Sequence, residues 1–178
     1  MPRIDPVLSL TLATAVASLF LASVIHKIRD PWRFRDALSG FALMPESLVS
    51  AAMAIVFLAE FAVVVTFIFG DTRVIGMVLA AALVTIYAGA IAVNLLRGRT
   101  RIDCGCVGFG ERQQLGKWMV MRNLVIASAA LVACLPRVSR DLTSIDFFVI
   151  VSAALCAAGL YMAQGLLADA RQRWQGES

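Results

Sequence analysis

Two cysteines separated by one glycine, Cys104 and Cys106, are the residues of this chain whose types and spacing best suit chemistry. A disulfide between them needs a tight turn, because bridged Cα atoms lie roughly 4.4 to 6.8 Å apart, and Gly105 permits the positive φ of such a turn. The closed ring would be small and strained, and strained disulfides exchange readily with other thiols. The spacing therefore favours thiol–disulfide redox chemistry over permanent cross-linking.

The residues around this pair leave its chemistry open. The preceding arginines favour a thiolate, whereas Asp103 opposes one. We therefore include Asp103 in the site, and the direction of the net pKa shift of the two thiols stays open. Two alternatives remain: Cys-x-Cys can bind Cu(I) or Zn, or the turn merely contains two small residues that are cysteines. Cys134 and Cys156 lie inside apolar runs, where a free cysteine is typically a small buried packing residue.

The composition predicts an all-α integral membrane protein. Of the 178 residues, 60% are hydrophobic and 16% are charged, against roughly 45 to 50% and about 25% in soluble domains. This length has room for four to six spans but not for a separate soluble domain, so residues 1–178 are expected to form one multi-pass membrane domain. The net charge of +4 comes from residues between apolar segments, which indicates contact with membrane lipids and not with nucleic acid.

Apolar runs long enough to cross about 30 Å of hydrocarbon predict five transmembrane helices. Their approximate bounds are 7–28, 48–69, 74–96, 116–135 and 145–167. A cleaved signal peptide is the rival interpretation of the first run. Segment 31–44 has apolar residues at helical spacing opposite charges and is expected to lie along the membrane interface, and 97–115 forms the loop that carries the cysteines.

Among the polar residues within the predicted spans, we select four as candidate intramembrane site residues: Glu60, Asn94, Arg122 and Asn123. An intramembrane carboxylate is costly unless it is paired, protonated or turned inward, so we expect Glu60 to face Arg122 inside the bundle, with Asn94 close by. A functional role of Glu60, as a proton relay, quinone site or partner site, and a purely structural role both stay open. We predict no cofactor, with a quinone left open, as is Cu or Zn at the cysteine pair.

The distribution of basic residues predicts the orientation in the membrane. With five spans and an outside N-terminus, 12 of the 16 Lys and Arg residues fall on inner segments. The positive-inside rule therefore favours N-out and C-in, which puts the cysteine loop on the cytoplasmic side.

Several motifs together resemble the MauE family of methylamine-utilisation membrane proteins, which is related to DoxX-like four-helix proteins. They are Asn94-Leu95-Leu96-Arg97-Gly98-Arg99, Ile102-Asp103-Cys104-Gly105-Cys106 with Gly108, Arg122-Asn123, and Lys27, Asp30-Pro31, Phe34, Pro45 and Glu60. The resemblance covers about Lys27 to Asn123. Val107 stands where the family usually has an aromatic residue, and the fifth predicted span has no counterpart.

The resemblance implies a DoxX-like four-helix transmembrane bundle, here with a fifth C-terminal helix, in a bacterial inner membrane. It also implies that the protein works with a thioredoxin-like partner, MauD, in maturing the exported β-subunit of methylamine dehydrogenase. On this interpretation Cys104 and Cys106 exchange electrons with the partner's dithiol, in a direction that no residue states. Whether the chain is an enzyme, a possible thiol–disulfide oxidoreductase, stays open, because a non-catalytic assembly or export factor or a metal-binding membrane protein is the alternative.

Overall fold

A computed structural model describes residues 3–99 and 115–176, and within them the chain forms six α-helices. These are α1 (Pro6–Arg29), α2 (Pro31–Gly40), α3 (Glu46–Ile68), α4 (Arg73–Leu96), α5 (Lys117–Ala133) and α6 (Ser144–Gly176). A 3₁₀ turn, Gly70–Thr72, joins α3 to α4. Extended pairing in the described residues is limited to one bridge between Ile4 and Arg137, so the all-α prediction is confirmed.

The long helices run up and down, so that chain connections gather at two ends. At one end, Ile4 N donates to Pro136 O and Val138 N donates to Ile4 O, both at 3.0 Å, which joins the start of α1 to the α5–α6 connection. At the other end, Arg97 Nη1 donates to Ala42 O at 3.5 Å, which joins the finish of α4 to the α2–α3 connection. We call these the Ile4 end and the Lys27 end. The segment 100–114 is attached at the Lys27 end, because α4 finishes there and α5 begins there.

A sharp corner at Asp30 separates α1 from α2. The Asp30 N–H donates to His26 O at 3.0 Å and closes the last turn of α1. The Asp30 carboxylate accepts from Arg33 N at 3.0 Å and thereby caps the start of α2. Pro31 occupies the first helical position, where a missing N–H costs nothing. The corner turns the chain so that the short α2 packs against α1 and α3.

Among the residues that the structure describes, three helices are long and apolar enough to cross a membrane: Pro6–Arg29, Glu46–Ile68 and the segment Gly70–Leu96 that contains α4. They coincide with the first three predicted spans. Helix α5 has 17 residues, about 26 Å at 1.5 Å per residue, and the described apolar part of α6, Ser144–Leu160, is equally short. The predicted bundle of four transmembrane helices plus a fifth therefore stays a prediction.

In the described part of the chain, two apolar clusters hold the helices together. The larger one joins α1, α3, α4 and α5, with Val63, Met77 and Ala130 completely buried at its centre. The smaller one, at the Lys27 end, contains Ile91 of α4, Met119 of α5, and the residues Phe41 and Leu115. Together they fix α4 against α5, the two helices that precede and follow the segment that carries the predicted cysteine pair.

Helix α4 approaches α3 closely at Gly76. A Cβ atom at Gly76 would overlap Thr66 Oγ1 and lie 3.1 Å from Thr66 Cβ. The Thr66 hydroxyl is held in place, because it donates to Ala62 O at 2.7 Å and to Val63 O at 3.0 Å. A side chain at position 76 therefore requires α4 to move away from α3.

At the Ile4 end, Arg140 ties the start of α1 to the start of α6. Its Nε donates to Asp5 Oδ2 at 3.1 Å, and its Nη2 donates to Asp146 Oδ1 at 3.1 Å. Asp5 also caps α1 by accepting from Val7 N at 2.8 Å. The Arg140 guanidinium and the Val7 N–H hold the pKa of the Asp5 carboxyl below its ordinary value.

The close contact at Gly76 predicts the effect of one methyl group. Gly76→Ala should destabilise the protein in detergent by about 1 to 3 kcal/mol, because overpacking forces α3 and α4 apart. Gly89→Ala is the matched control, since Gly89 lies in the same helix with nothing within 4 Å of its added Cβ. Adding Thr66→Ala to Gly76→Ala should restore most of the loss in thermal unfolding, and failure of that rescue would contradict the packing argument.

Acid should loosen the Ile4 end. The folded pKa of Asp5 lies below its unfolded value near 3.8, so its contribution is present above that value and is lost as the pH falls through the folded pKa. Hydrogen-exchange protection at Ile4 and Val138, the two bridge amides, should therefore fall in acid. In Asp5→Asn the fall should be shallower, and an unchanged pH profile in that variant would count against this role of Asp5.

Candidate functional site

The predicted redox site, Asp103, Cys104 and Cys106, lies outside the described residues. Its flanking residues are described, and they place the attachment points of the cysteine segment at the Lys27 end. Of the other two cysteines, Cys134, directly after α5, is half-buried and Cys156 in α6 is exposed. The expectation that both are buried packing residues is therefore wrong for Cys156.

A buried ion pair between Glu60 of α3 and Lys27 of α1 forms the centre of a second candidate site. Lys27 Nζ donates to Glu60 Oε2 at 2.7 Å and to Oε1 at 2.9 Å. The two side chains are 5% and 1% exposed, respectively. Charges taken out of water to this extent require close pairing and further hydrogen bonds, and both are present here.

Two hydroxyl groups complete the surroundings of the carboxylate. Ser23 Oγ donates to Glu60 Oε2 at 3.1 Å, and the Tyr87 hydroxyl of α4 donates to Oε1 at 2.8 Å. With the two bonds from Lys27, the carboxylate accepts four hydrogen bonds, which is about its full capacity. Three helices therefore meet at one carboxylate.

The ammonium group of Lys27 is equally well surrounded. It donates to Ser23 Oγ at 2.7 Å in addition to the carboxylate. It also lies 4.7 Å from the centroid of the Phe34 ring in α2, a cation–π contact. Ser23 and Lys27 are four residues apart on α1 and so share one face of that helix.

The predicted partner of Glu60 was Arg122, and this prediction is wrong because Lys27 takes that place. Arg122, in the second turn of α5, is half-buried. Asn94 and Asn123, in the last turns of α4 and the second turn of α5, are 0% and 4% exposed. In the part of the chain that the structure describes, Asn94 Oδ1 and Asn123 Nδ2 have no hydrogen-bond partner. These amides lie at the Lys27 end, near the attachment points of the cysteine segment.

The pairing of Lys27 with Glu60 shows that α1 and α3 are staggered. Lys27 lies two residues before the end of α1, whereas Glu60 lies fourteen residues after the start of α3. At 1.5 Å per residue, α3 therefore continues about 18 Å further than α1 at the Lys27 end. Helix α2 packs against this extension.

A cavity of about 200 Å³ lies between α2, the extension of α3, and α4. On α3 its wall is formed by Ala52, Val56 and Glu60, spaced four residues apart on one face. The remaining lining residues are Ser23, Lys27, Phe34, Ala37, Leu38, Phe41, Leu43, Met44, Ile86, Tyr87, Ala90 and Ile91. The ion pair thus forms the polar floor of an otherwise apolar cavity.

Sequence reasoning missed Lys27, Ser23 and Tyr87 as members of the site. Lys27 lies at the end of the first apolar run, where hydropathy gives no sign that its side chain is buried. The stagger that brings it to mid-helix Glu60 is a tertiary feature. One local signal was present in the four-residue spacing of Ser23 and Lys27, which puts a hydroxyl beside the ammonium group.

Fold and site together define an all-helical protein of membrane-spanning character with a buried Lys–Glu pair at the floor of an apolar cavity. The chain belongs to the family described as methylamine utilisation protein MauE, whose family model matches residues 5–136. The resemblance inferred from the motifs is thereby confirmed.

Similar proteins carry the same description. The chain is 38% identical to methylamine utilization protein MauE of Paracoccus denitrificans over 129 residues, which are 72% of this chain and 69% of the relative. It is 30% identical to the protein of that name from Methylophilus methylotrophus over 165 residues, 92% of this chain and 87% of the relative. No solved structure matches the chain.

The buried pair predicts a non-additive pattern of stability. Lys27→Met or Glu60→Gln alone should destabilise the protein by about 3 to 5 kcal/mol, because each leaves buried polar groups without their partner. The double variant should lose less than the sum of the two single variants. Thermal unfolding of the purified proteins in one detergent measures all three.

Arg35→Met provides the control, because Arg35 and Glu46 form an exposed ion pair with 3.9 Å between Nη2 and Oε2 at the same end. Its loss should change stability by less than about 1 kcal/mol. Additive effects of Lys27→Met and Glu60→Gln would contradict the energetic coupling of the pair.

Proposed function

We propose that this protein is a thiol–disulfide redox factor of the bacterial inner membrane that serves methylamine utilisation. Membership of the MauE family supports the role in methylamine utilisation. The observation that carries the chemistry is Cys104-Gly105-Cys106 in a polar segment of an otherwise apolar chain. The proposed product of its action is a correctly oxidised β-subunit of methylamine dehydrogenase.

The proposed reaction is exchange with a thioredoxin-like partner, MauD. A thiolate of one dithiol attacks the partner's disulfide and forms a mixed disulfide, and the neighbouring thiolate then resolves it. One dithiol is oxidised and one disulfide is reduced, so that two electrons and two protons change hands. With only Gly105 between the cysteines, the resolving thiol lies beside the attacked sulfur at high effective concentration.

The described residues on either side of this segment hold its two attachment points in place. Leu115, directly after it, is 4% exposed and belongs to the same packed cluster as Ile91 and Met119. Before the segment, Gly98 with a φ of 70° ends α4, and Arg99 N donates to Asn94 O at 2.9 Å. A redox segment with fixed attachment points suits docking of a partner at the Lys27 end.

We propose N-out and C-in as the orientation, which places the Lys27 end and the cysteine segment inside. Labelling Cys104 and Cys106 with a membrane-impermeant thiol reagent, from each side of intact vesicles, measures this. The experiment uses a variant in which Cys134 and the exposed Cys156 are replaced by serine, so that only Cys104 and Cys106 can be labelled.

Single cysteine substitutions test the exchange reaction. Cys104→Ser and Cys106→Ser should each abolish maturation of the exported β-subunit, and one of them should accumulate a reductant-sensitive covalent complex with the partner, because the resolving thiol is missing. Non-reducing gel electrophoresis of membranes, with an assay of mature subunit, measures both outcomes.

Cys134→Ser and Cys156→Ser are the matched controls and should leave maturation unchanged. Full maturation in the double variant Cys104→Ser, Cys106→Ser would overturn the redox function and favour a non-catalytic assembly or export factor. Stoichiometric Cu or Zn in the purified wild type, lost in that double variant, would favour a metal-binding protein instead.

A further inference from the structure

The hydrogen-bond donors on the floor of the cavity beneath α2 are already in use. The N–H donors of Lys27 meet Ser23 Oγ and both carboxylate oxygens of Glu60, and the Tyr87 hydroxyl donates to the same carboxylate. The other lining residues have apolar side chains. A polar group that enters the cavity would therefore lose its hydrogen bonds to water without finding a donor in exchange, so the molecule that fills the cavity must be apolar along its inserted part.

The cavity is elongated along the helix axes. On α3 its wall extends from Ala52 to Glu60, which are eight residues and so about 12 Å apart. An engineered apolar cavity of roughly 150 Å³ holds benzene, which has six carbon atoms, so that a cavity of about 200 Å³ holds about eight. A space of this length and volume suits part of one hydrocarbon chain that lies parallel to the helices.

The cavity opens towards the outer surface of α4. Two of its lining residues are strongly exposed, namely Ile86 of α4 at 64% and Leu43 after α2 at 41%. Along α4, Ile86 is flanked on the outer surface by Val78 and Val93, which are also exposed. Because this helix is long and apolar enough to cross a membrane, its apolar outer surface lies against lipid. The opening therefore faces the acyl chains of the bilayer.

A basic side chain lies beside this opening at the Lys27 end. Arg97 is exposed, and its Nη1 donates to Ala42 O at 3.5 Å. Ala42 directly precedes Leu43, which lines the cavity. The long bond to Ala42 uses one of the five N–H donors of the guanidinium group. The others can donate to phosphate oxygens, for which the planar guanidinium group is well suited.

The charges at the two ends of the bundle differ in the same sense. In the described connections of the Lys27 end, residues 29–46, 97–99 and 115–117, there are six basic and three acidic residues. In the connections of the Ile4 end, residues 3–5, 69–73 and 134–146, there are four of each. The end of the cavity beside Arg97 therefore attracts an anionic lipid headgroup more strongly than a zwitterionic one.

We propose that the cavity binds one acyl chain of an anionic phospholipid, whose phosphate group is held by Arg97. The chain enters between Leu43 and Ile86 and runs towards the ion pair of Lys27 and Glu60, parallel to the helices. Its inserted carbons fill the space that α2 leaves between itself, α3 and α4. The headgroup stays outside, at the Lys27 end. This binding site does not depend on the proposed redox function.

Binding is tested with the full-length protein, purified in detergent and freed of lipid. It is titrated with phosphatidylglycerol and, separately, with phosphatidylcholine of the same acyl chains, and native mass spectrometry counts the lipids bound per chain. One phosphatidylglycerol should bind saturably, at least about tenfold more tightly than phosphatidylcholine. Absence of saturable binding at one site, or equal affinities for the two lipids, would overturn the proposal.

The position of the acyl chain is tested by filling the cavity. Val56→Trp should weaken the binding of phosphatidylglycerol at least about tenfold. Ile55→Trp is the matched control, because Ile55 neighbours Val56 but is 67% exposed and does not line the cavity, and it should change the affinity less than about twofold. Ala52→Leu replaces Val56→Trp if thermal unfolding without lipid shows that the larger side chain prevents folding. Equal effects of the cavity variant and Ile55→Trp would overturn the site.

The position of the phosphate is tested by removing the guanidinium group. Arg97→Gln should weaken the binding of phosphatidylglycerol at least about fivefold and leave that of phosphatidylcholine unchanged, because only the charge-dependent part of the affinity is lost. Arg137→Gln removes one exposed charge from the Ile4 end and should change neither affinity more than about twofold. If Arg97→Gln and Arg137→Gln have equal effects, Arg97 does not hold the phosphate.

Two further measurements distinguish the lipid from other occupants. Glycerol 3-phosphate has the phosphate but no acyl chain, so at equal concentration it should not displace phosphatidylglycerol. Displacement would show that the phosphate binds without insertion of a chain and would overturn the cavity site. Dimers that form as the protein concentration rises, with loss of the bound lipid, would assign the cavity to a second copy of the chain and would overturn it as well.

Discussion

A carboxylate and an ammonium group, removed from water and bonded to each other, set the arrangement of this bundle. Glu60 on α3 cannot stay charged in an apolar interior without partners, and Lys27 on α1 and Tyr87 on α4 supply them. Because each partner comes from a different helix, the relative depth of three helices is specified by one group of hydrogen bonds. Apolar packing alone specifies this depth less well, because neighbouring helices can slide past each other and still bury a similar apolar area.

The stagger of α1 and α3 that follows from this pairing accounts for the position of α2. An extension of α3 beyond the end of α1 would leave Ala52 and Val56 without a neighbour on that side. Helix α2, turned back by the Asp30–Pro31 corner, covers this face but does not fill the space beneath it completely. Its Phe34 ring also covers the ammonium group of Lys27. Shielding the charges and enclosing the cavity are therefore done by the same short helix.

Much of the fold was predictable because hydropathy and capping are local properties. The bounds predicted for the first four spans agree with α1, α3, α4 and α5 to within two residues, whereas α6 runs on to Gly176 through a polar stretch that hydropathy does not detect. The site was harder to predict. Glu60 was recognisable as a costly intramembrane charge, but its partner depended on the stagger of α1 and α3, which no single segment encodes. Arg122 was chosen instead because it was the deeper cation in the sequence.

The two connections of α2 differ in backbone strain. On its N-terminal side, Asp30 is bonded into both α1 and α2 at once, three residues from Lys27. On its C-terminal side, Ala42 adopts a φ of 46°, a left-handed conformation that costs a residue with a side chain roughly 1 to 2 kcal/mol. The surrounding contacts, which include the bond from Arg97 Nη1 to the Ala42 carbonyl, must outweigh this cost. The helix that covers the ion pair is therefore held by a capped corner at one end and by a strained residue, tied to α4, at the other.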